Sequence, residues 1–223
     1  MGHGRLGSTS VLRTCPPDRS QQRGPGRPPG LSGSWNGPGC PRVRHPGVGY
    51  DSREDRLAQI SEYIARAAEI MAFEGATPAL HPHVGTWIET VDEARYVLDR
   101  VDESVLKFGP DAGHLAWTGV NPADVIAEYA PRVAGIHIKD YHSSIARRSR
   151  IEDIDYRSTV LSGLWTEPGT GDANIEEVLA AAGPAFTGWV VVEVDRGSVP
   201  PAESIRRCGA WLTNRFAFQN AGS

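Results

Sequence analysis

Acidic side chains are nearly missing from the first fifty residues, where Asp18 is the only one. Continuous apolar runs are missing there too, and neither a period of two nor one of 3.6 can be traced. A signal peptide or membrane span needs such a run, so this segment is neither. Gly, Pro, Arg and Ser fill it instead. That composition buries too little apolar surface to offset the entropy of ordering, and residues 1–50 read as a disordered tail. The arginines of the tail stand singly and no aromatic ladder alternates with them, which argues against a nucleic-acid-binding arm.

Cysteine is scarce. Cys15, Cys40 and Cys208 form no CxxC and show no zinc-type spacing. Without a disulfide framework or a secretory segment, a reducing cytoplasm is expected. Charge of one sign is also lacking: the net charge is −4 and the pI about 6.0, which suits a soluble enzyme and discourages a polyanion or membrane partner.

From residue 51 onward the pattern changes. Leu57, Ile60, Ile64, Ala67 and Met71 recur at three and four, one stripe of a helix that Asp51 or Ser52 could cap and Gly75 could end. A short strand at residues 77–81 follows, and then a helix over 91–101. A strand running to Asp111 comes next, followed by a helix opened by Asn121-Pro122. After a strand at 133–140 comes a polar stretch from 141 to 172, long enough to be an active-site lid rather than a plain loop. A helix from Asp172 or Asn174, a strand at 189–194 and a last helix to about residue 216 complete the chain. Alternating units with wholly apolar strands imply a parallel sheet with all strand C-termini on one side. Ligands bind at that end in such folds.

Several strands end on a side chain that can hold a metal. Asp111 follows Val105–Pro110, His137 and Lys139 lie in Val133–Asp140, and Glu193 follows Trp189–Val192. Asp111 could merely cap a turn, and His137 could be a core histidine. Glu193 after four apolar residues is hard to bury without a partner. Glu89 lies 22 residues before Asp111, which lies 26 before His137, spacings that suit neighbouring βα units of roughly 30 residues. Three carboxylates and an imidazole would make an oxygen and nitrogen site for Mn²⁺, Mg²⁺ or Co²⁺. His81 and His83, two apart on a strand, would face one side. Trp87 could wall a pocket or simply pack. Arg147, Arg148 and Arg150 read as a solvated face. Gly169-Thr170-Gly171 could be a turn or a phosphate cradle.

The segments His81-Pro82-His83-x-Gly85-Thr86, Asp111-x-Gly113-His114, Gly135-Ile136-His137-Ile138-Lys139-Asp140, Gly169-Thr170-Gly171 and Val191-Val192-Glu193 resemble, in order, the sugar isomerase/epimerase superfamily with a xylose isomerase-like TIM barrel. Their HPHxGT and HIKD patterns are most similar to those of inosose dehydratases. The resemblance implies a metal held by Glu89, Asp111, His137 and Glu193, with His81 the alternative for the first place because it lies nearer its strand end. It implies Glu193 or Glu89 as the base and His114 as a proton-handling partner. His81, His83, His114 and Lys139 would contact a small sugar or cyclitol. The implied chemistry is removal of the proton α to a carbonyl through an ene-diolate, ending in isomerisation, epimerisation or, as in inosose dehydration, loss of water. A truncated, non-catalytic relic or sugar-binding module is the competing reading.

The expected architecture is α/β, a partial (β/α) TIM barrel of about four C-terminal units over residues 51–223, with the N-terminal half of the barrel missing and residues 1–50 in its place. A full barrel needs eight strands and about 250 residues. Open sheet edges of a partial barrel would favour self-association.

Overall fold

The computed structural model describes residues 11–12 and 41–215. Strand β1 (Val11–Leu12) is followed by α1 (Pro41–Arg44), α2 (Glu54–Phe73), β2 (Ala79–Leu80), α3 (Val91–Leu98) and β3 (Lys107–Phe108). Next come α4 (Ala112–Trp117), α5 (Pro122–Glu128), β4 (Gly135–Ile138), β5 (Asp140–Tyr141) and α6 (Ser143–Ile151). The chain then forms α7 (Tyr156–Leu161), β6 (Trp165–Thr166), α8 (Ile175–Ala181), β7 (Trp189–Val192) and α9 (Pro201–Arg215).

The strands that carry the motifs lie parallel and in sequence. β1 pairs with β2 and β2 with β3. Single bridges Phe108–Val133 and Asp111–His137 carry the order across to β4, where the His137 N–H donates to the Pro110 carbonyl at 2.9 Å. β4 pairs with β7, placing His137 opposite Val191. The Glu193 N–H then donates to the Ile138 carbonyl at 2.9 Å, so Glu193 sits one step past the ladder. Equal polarity therefore brings the strand ends at Asp111, His137 and Glu193 together, as a partial barrel requires.

Leu57, Ile64 and Ala68 of α2 pack with Leu80, Val97, Leu98 and Phe108 in the main core. α2 begins after Arg53, which makes no side-chain cap, so neither Asp51 nor Ser52 has the expected role. Gly75, at φ 81°, takes up the left-handed turn beyond its end. Asn121 caps α5 through Ala123 N–H, as the Asn-Pro pair predicts.

Two further expectations are corrected. The stretch from 141 to 172 is no continuous loop: it holds α6, α7 and the antiparallel pair β5–β6, packed around buried Trp117, Leu164 and Trp165. Its apolar residues are few but large, so a periodicity test misses them. The proposed boundary at residue 50 also moves back, because residues 41–50 pack against the domain. Arg42 is buried and reaches both carboxylate oxygens of Glu93, at 2.8 and 2.5 Å, while the Gly47 and Gly49 N–H groups donate to Glu89. This segment docks through backbone donors and one arginine, not through an apolar stripe, and so leaves no hydrophobic pattern. Val11–Leu12 likewise joins the sheet, whereas the disorder expected for residues 1–10 and 13–40 lies outside the described residues.

β7 pairs with no second strand among the described residues, and its Trp189, Val190 and Val191 are 59%, 40% and 39% exposed. No helix among the described residues is long and apolar enough to cross a membrane.

Candidate active site

Three side chains converge at the strand ends. One donor atom each of His81, Asp111 and His137 lies within 4.8 Å of the other two, and all three residues are buried. His81 follows β2, Asp111 follows β3 and His137 sits in β4, so the parallel register makes the cluster.

Each member is oriented from behind. His81 Nδ1 lies 3.0 Å from the Gly109 carbonyl. A carbonyl only accepts, so Nδ1 carries the proton and Nε2 presents its lone pair, 4.0 Å from Asp111 Oδ2. Burial lowers the His81 pKa despite nearby Asp111, which favours the neutral, ligating form. His137 Nδ1 lies 2.6 Å from Glu193 Oε2, so a proton on Nδ1 again leaves the other nitrogen free. Asp111 performs two tasks. Its Oδ1 accepts from the His114 N–H at 2.9 Å and caps α4, a helix that periodicity did not reveal, while its buried Oδ2 has no hydrogen-bond partner among the described residues.

Lys139 lies at the centre of the negative charge. Its fully buried ammonium is 3.0 Å from Glu193 Oε1, 3.0 Å from Asp195 Oδ2, 3.6 Å from Asp111 Oδ2 and 3.1 Å from His114 Nε2. Burial would push its pKa down, but Asp111, Asp195 and Glu193 outweigh that and hold it above the usual lysine value. Glu193 is held well below the carboxylate range, first by the His137 hydrogen bond and then against burial by Lys139. Asp195 is pushed up, first by burial and also by Glu193 beside it.

Asp195 was not singled out from sequence. It lies two residues past Glu193, and the alternation rule that groups His81 with His83 would have grouped these two carboxylates. Gly113 explains part of the DxGH pattern: a Cβ there would meet the Lys139 carbonyl at 2.7 Å and Trp165 at 2.8 Å, so only glycine lets α4 approach β4 this closely.

The remaining expectations divide. His83 is half-buried beside His114, with ring centroids 3.6 Å apart, and burial lowers its pKa to about 4. His83 and His114 thus line the cluster. Glu89 does not join it. Its carboxylate accepts from the Gly47, Gly49 and Gly85 N–H groups and lies 3.7 Å from Arg42, so its lone pairs are occupied on the far side of the HPHxGT loop. Among the described residues, His81 and not Glu89 joins Asp111 and His137 in the cluster, and Glu193, also expected among the ligands, stands behind His137 instead. Gly169-Thr170-Gly171 is a turn whose Gly169 and Gly171 N–H groups donate to Asp140 Oδ2 at 2.8 and 2.9 Å, which excludes the phosphate-cradle reading. Trp87 packs under Arg56, whose guanidinium carbon is 4.9 Å from the ring centroid.

The residues present suit a cation. A buried carboxylate oxygen with no hydrogen-bond partner among the described residues lies near an imidazole lone pair, and three carboxylates surround one ammonium.

The xylose isomerase-like TIM barrel family matches residues 38–215. The chain belongs to that family. Within it, the inosose dehydratase of Geobacillus kaustophilus is 30% identical over 132 residues, covering 59% of this chain and 43% of that protein. The rhizopine catabolism protein MocC of Rhizobium meliloti is 34% identical over 131 residues, covering 58% of this chain and 40% of that protein. A crystal structure of the IolI protein with a bound zinc atom superposes with a TM-score of 0.52 at 18% identity, covering 69% of this chain and 54% of that one. The chain spans about half the length, or less, of the curated relatives it matches.

Proposed function

We propose that His81, Asp111 and His137 hold a divalent metal, and that the site removes the proton α to the carbonyl of a sugar or cyclitol ketone. The observation that carries this reading is Asp111 Oδ2, buried without a hydrogen-bond partner among the described residues and beside a neutral imidazole. Two nitrogens and one oxygen favour Mn²⁺, Co²⁺ or Zn²⁺ over Mg²⁺. The zinc in the IolI structure and the names of the inosose dehydratases support the metal and the substrate class. When bound, the metal supplies a Lewis acid for the carbonyl oxygen.

The chain's own residues do the rest. Glu193 fixes the orientation of His137 and stays ionised between it and Lys139. Glu193 and Asp195 share the Lys139 ammonium, which places a basic and an acidic carboxyl group at one end of the site. One takes the α proton, and the other returns a proton to the neighbouring carbon or to a departing β-hydroxyl. His114, in contact with Lys139, completes the proton path. The half-buried His83 contacts substrate oxygen. Loss of water, as the relatives' names suggest, is the preferred outcome, and isomerisation or epimerisation needs the same first step. Action in the cytoplasm fits a chain whose one described cysteine, Cys208, is free.

The test uses the protein with Mn²⁺ or Co²⁺ and 2-keto-myo-inositol or ketoses in D₂O, followed by NMR. Solvent deuterium should enter the α position, and Asp111→Asn should abolish both metal retention and exchange. Metal binding with polyol binding but no exchange would leave a binding module instead.

A further inference from the structure

α7 lies in the stretch from 141 to 172, which the sequence marks only as polar. Tyr156, its first residue, turns inward while Arg157 and Ser158 stay exposed. Asp155 caps the helix by accepting from the Ser158 N–H at 3.0 Å, and this fixes where the tyrosine leaves the backbone.

Three surfaces hold the ring. Its centroid is 5.1 Å from that of Trp117 and 6.0 Å from that of His83, the latter pair nearly parallel at 24°. Gly85, at φ 84°, lies beneath it, and a Cβ there would approach the ring to 3.4 Å. The HPHxGT loop and α7 therefore fit each other around one aromatic side chain.

The hydroxyl end remains. The ring borders the cluster through His83, whose own ring centroid lies 3.6 Å from that of His114, and the charges of Asp195, Lys139, Asp111 and Glu193 all reach the phenol. None of the described residues hydrogen-bonds to it, although a phenol held by packing on both faces ordinarily finds a partner. Burial, and then the charge of Asp195, raises the pKa of this phenol, so it stays a neutral donor at any working pH.

We infer that Tyr156 is a substrate-contact residue whose hydroxyl donates to a ring hydroxyl of a polyol bound at the cluster, and that it thereby sets which hydroxyl pattern the site accepts. The inference rests on the proposed site for polyol ketones, but not on turnover. A rigid donor with no partner among the described residues is left unsatisfied by a ligand that lacks the matching hydroxyl, and such a site rejects that ligand more strongly than an apolar wall would.

The experiment measures binding of myo-inositol and of its monodeoxy analogues by calorimetry, with Mn²⁺ present, for the intact chain and for Tyr156→Phe. Wild type should bind myo-inositol about tenfold more tightly than one particular deoxy analogue, the size of one hydrogen bond. Y156F should lose that discrimination and bind both at the weaker level, with Mn²⁺ affinity and thermal midpoint unchanged. Equal discrimination in wild type and variant overturns the inference and leaves Tyr156 a packing residue. Failure of wild type to bind any polyol overturns it as well. Polyol binding that depends on Tyr156 without α-deuterium exchange would sink the catalytic reading and leave this one standing.

Discussion

His137 Nδ1 lies 2.6 Å from Glu193 Oε2, so the last acidic residue of the motif set holds the imidazole of the neighbouring strand by its rear nitrogen. A carboxylate behind a ligating histidine fixes the ring and raises its basicity. Removing it with Glu193→Ala should weaken Mn²⁺ or Zn²⁺ affinity about 10- to 100-fold in a chelator competition. Unchanged affinity would mean that Glu193 neither orients His137 nor binds metal.

Glu89 gives the opposite expectation. Its oxygens are taken by three backbone N–H groups near Arg42, so Glu89→Ala should leave metal affinity intact and lower stability instead. Arg42→Ala should do the same more strongly. It leaves the buried Glu93 carboxylate without one of its two arginines, at a cost of about 3 kcal/mol in denaturant melts. A melt unchanged by Arg42→Ala would show that residues 41–50 contribute nothing to the domain.

Stability should fall on acidification. The folded-state pKa values of His81 and His83 lie below the usual imidazole value of 6.5, that of His83 at about 4, with burial the leading cause. Between these values the unfolded chain binds protons that the folded chain refuses, so this contribution is present above about pH 6.5 and lost as pH drops towards 4. Thermal midpoints of metal-free protein across that range should slope downward with acid, and His83→Gln should flatten the slope.

The edge of β7, unpaired among the described residues, should drive association with a second copy. Val190 and Val191 point to opposite faces and both are exposed, beside an exposed Trp189. Light scattering should show concentration-dependent self-association, and Val190→Lys should reduce it because an edge lysine resists further pairing. A monodisperse monomer at all concentrations would contradict this.

Much of the site was readable along the chain. Asp111 and Glu193 close apolar runs and His137 lies near the end of one, and a parallel sheet delivers such ends to one side. The helices with strong stripes or an Asn-Pro start were equally legible. Residues 41–50 were not, since backbone N–H groups carry no sequence signature, and α6 and α7 expose too much polar surface to show a period.

The shared polarity of the strands, and with it the meeting of Asp111 and His137, follows from the sequence, because alternation of apolar strand and helix dictates polarity. Whether Glu89 or His81 faces the cluster was decided only by folding. The turn after His83 carries Glu89 to the waiting N–H groups of Gly47 and Gly49, donors supplied from forty residues away. The same holds for Tyr156, which no local pattern marks and which α7 seats against His83 and Trp117.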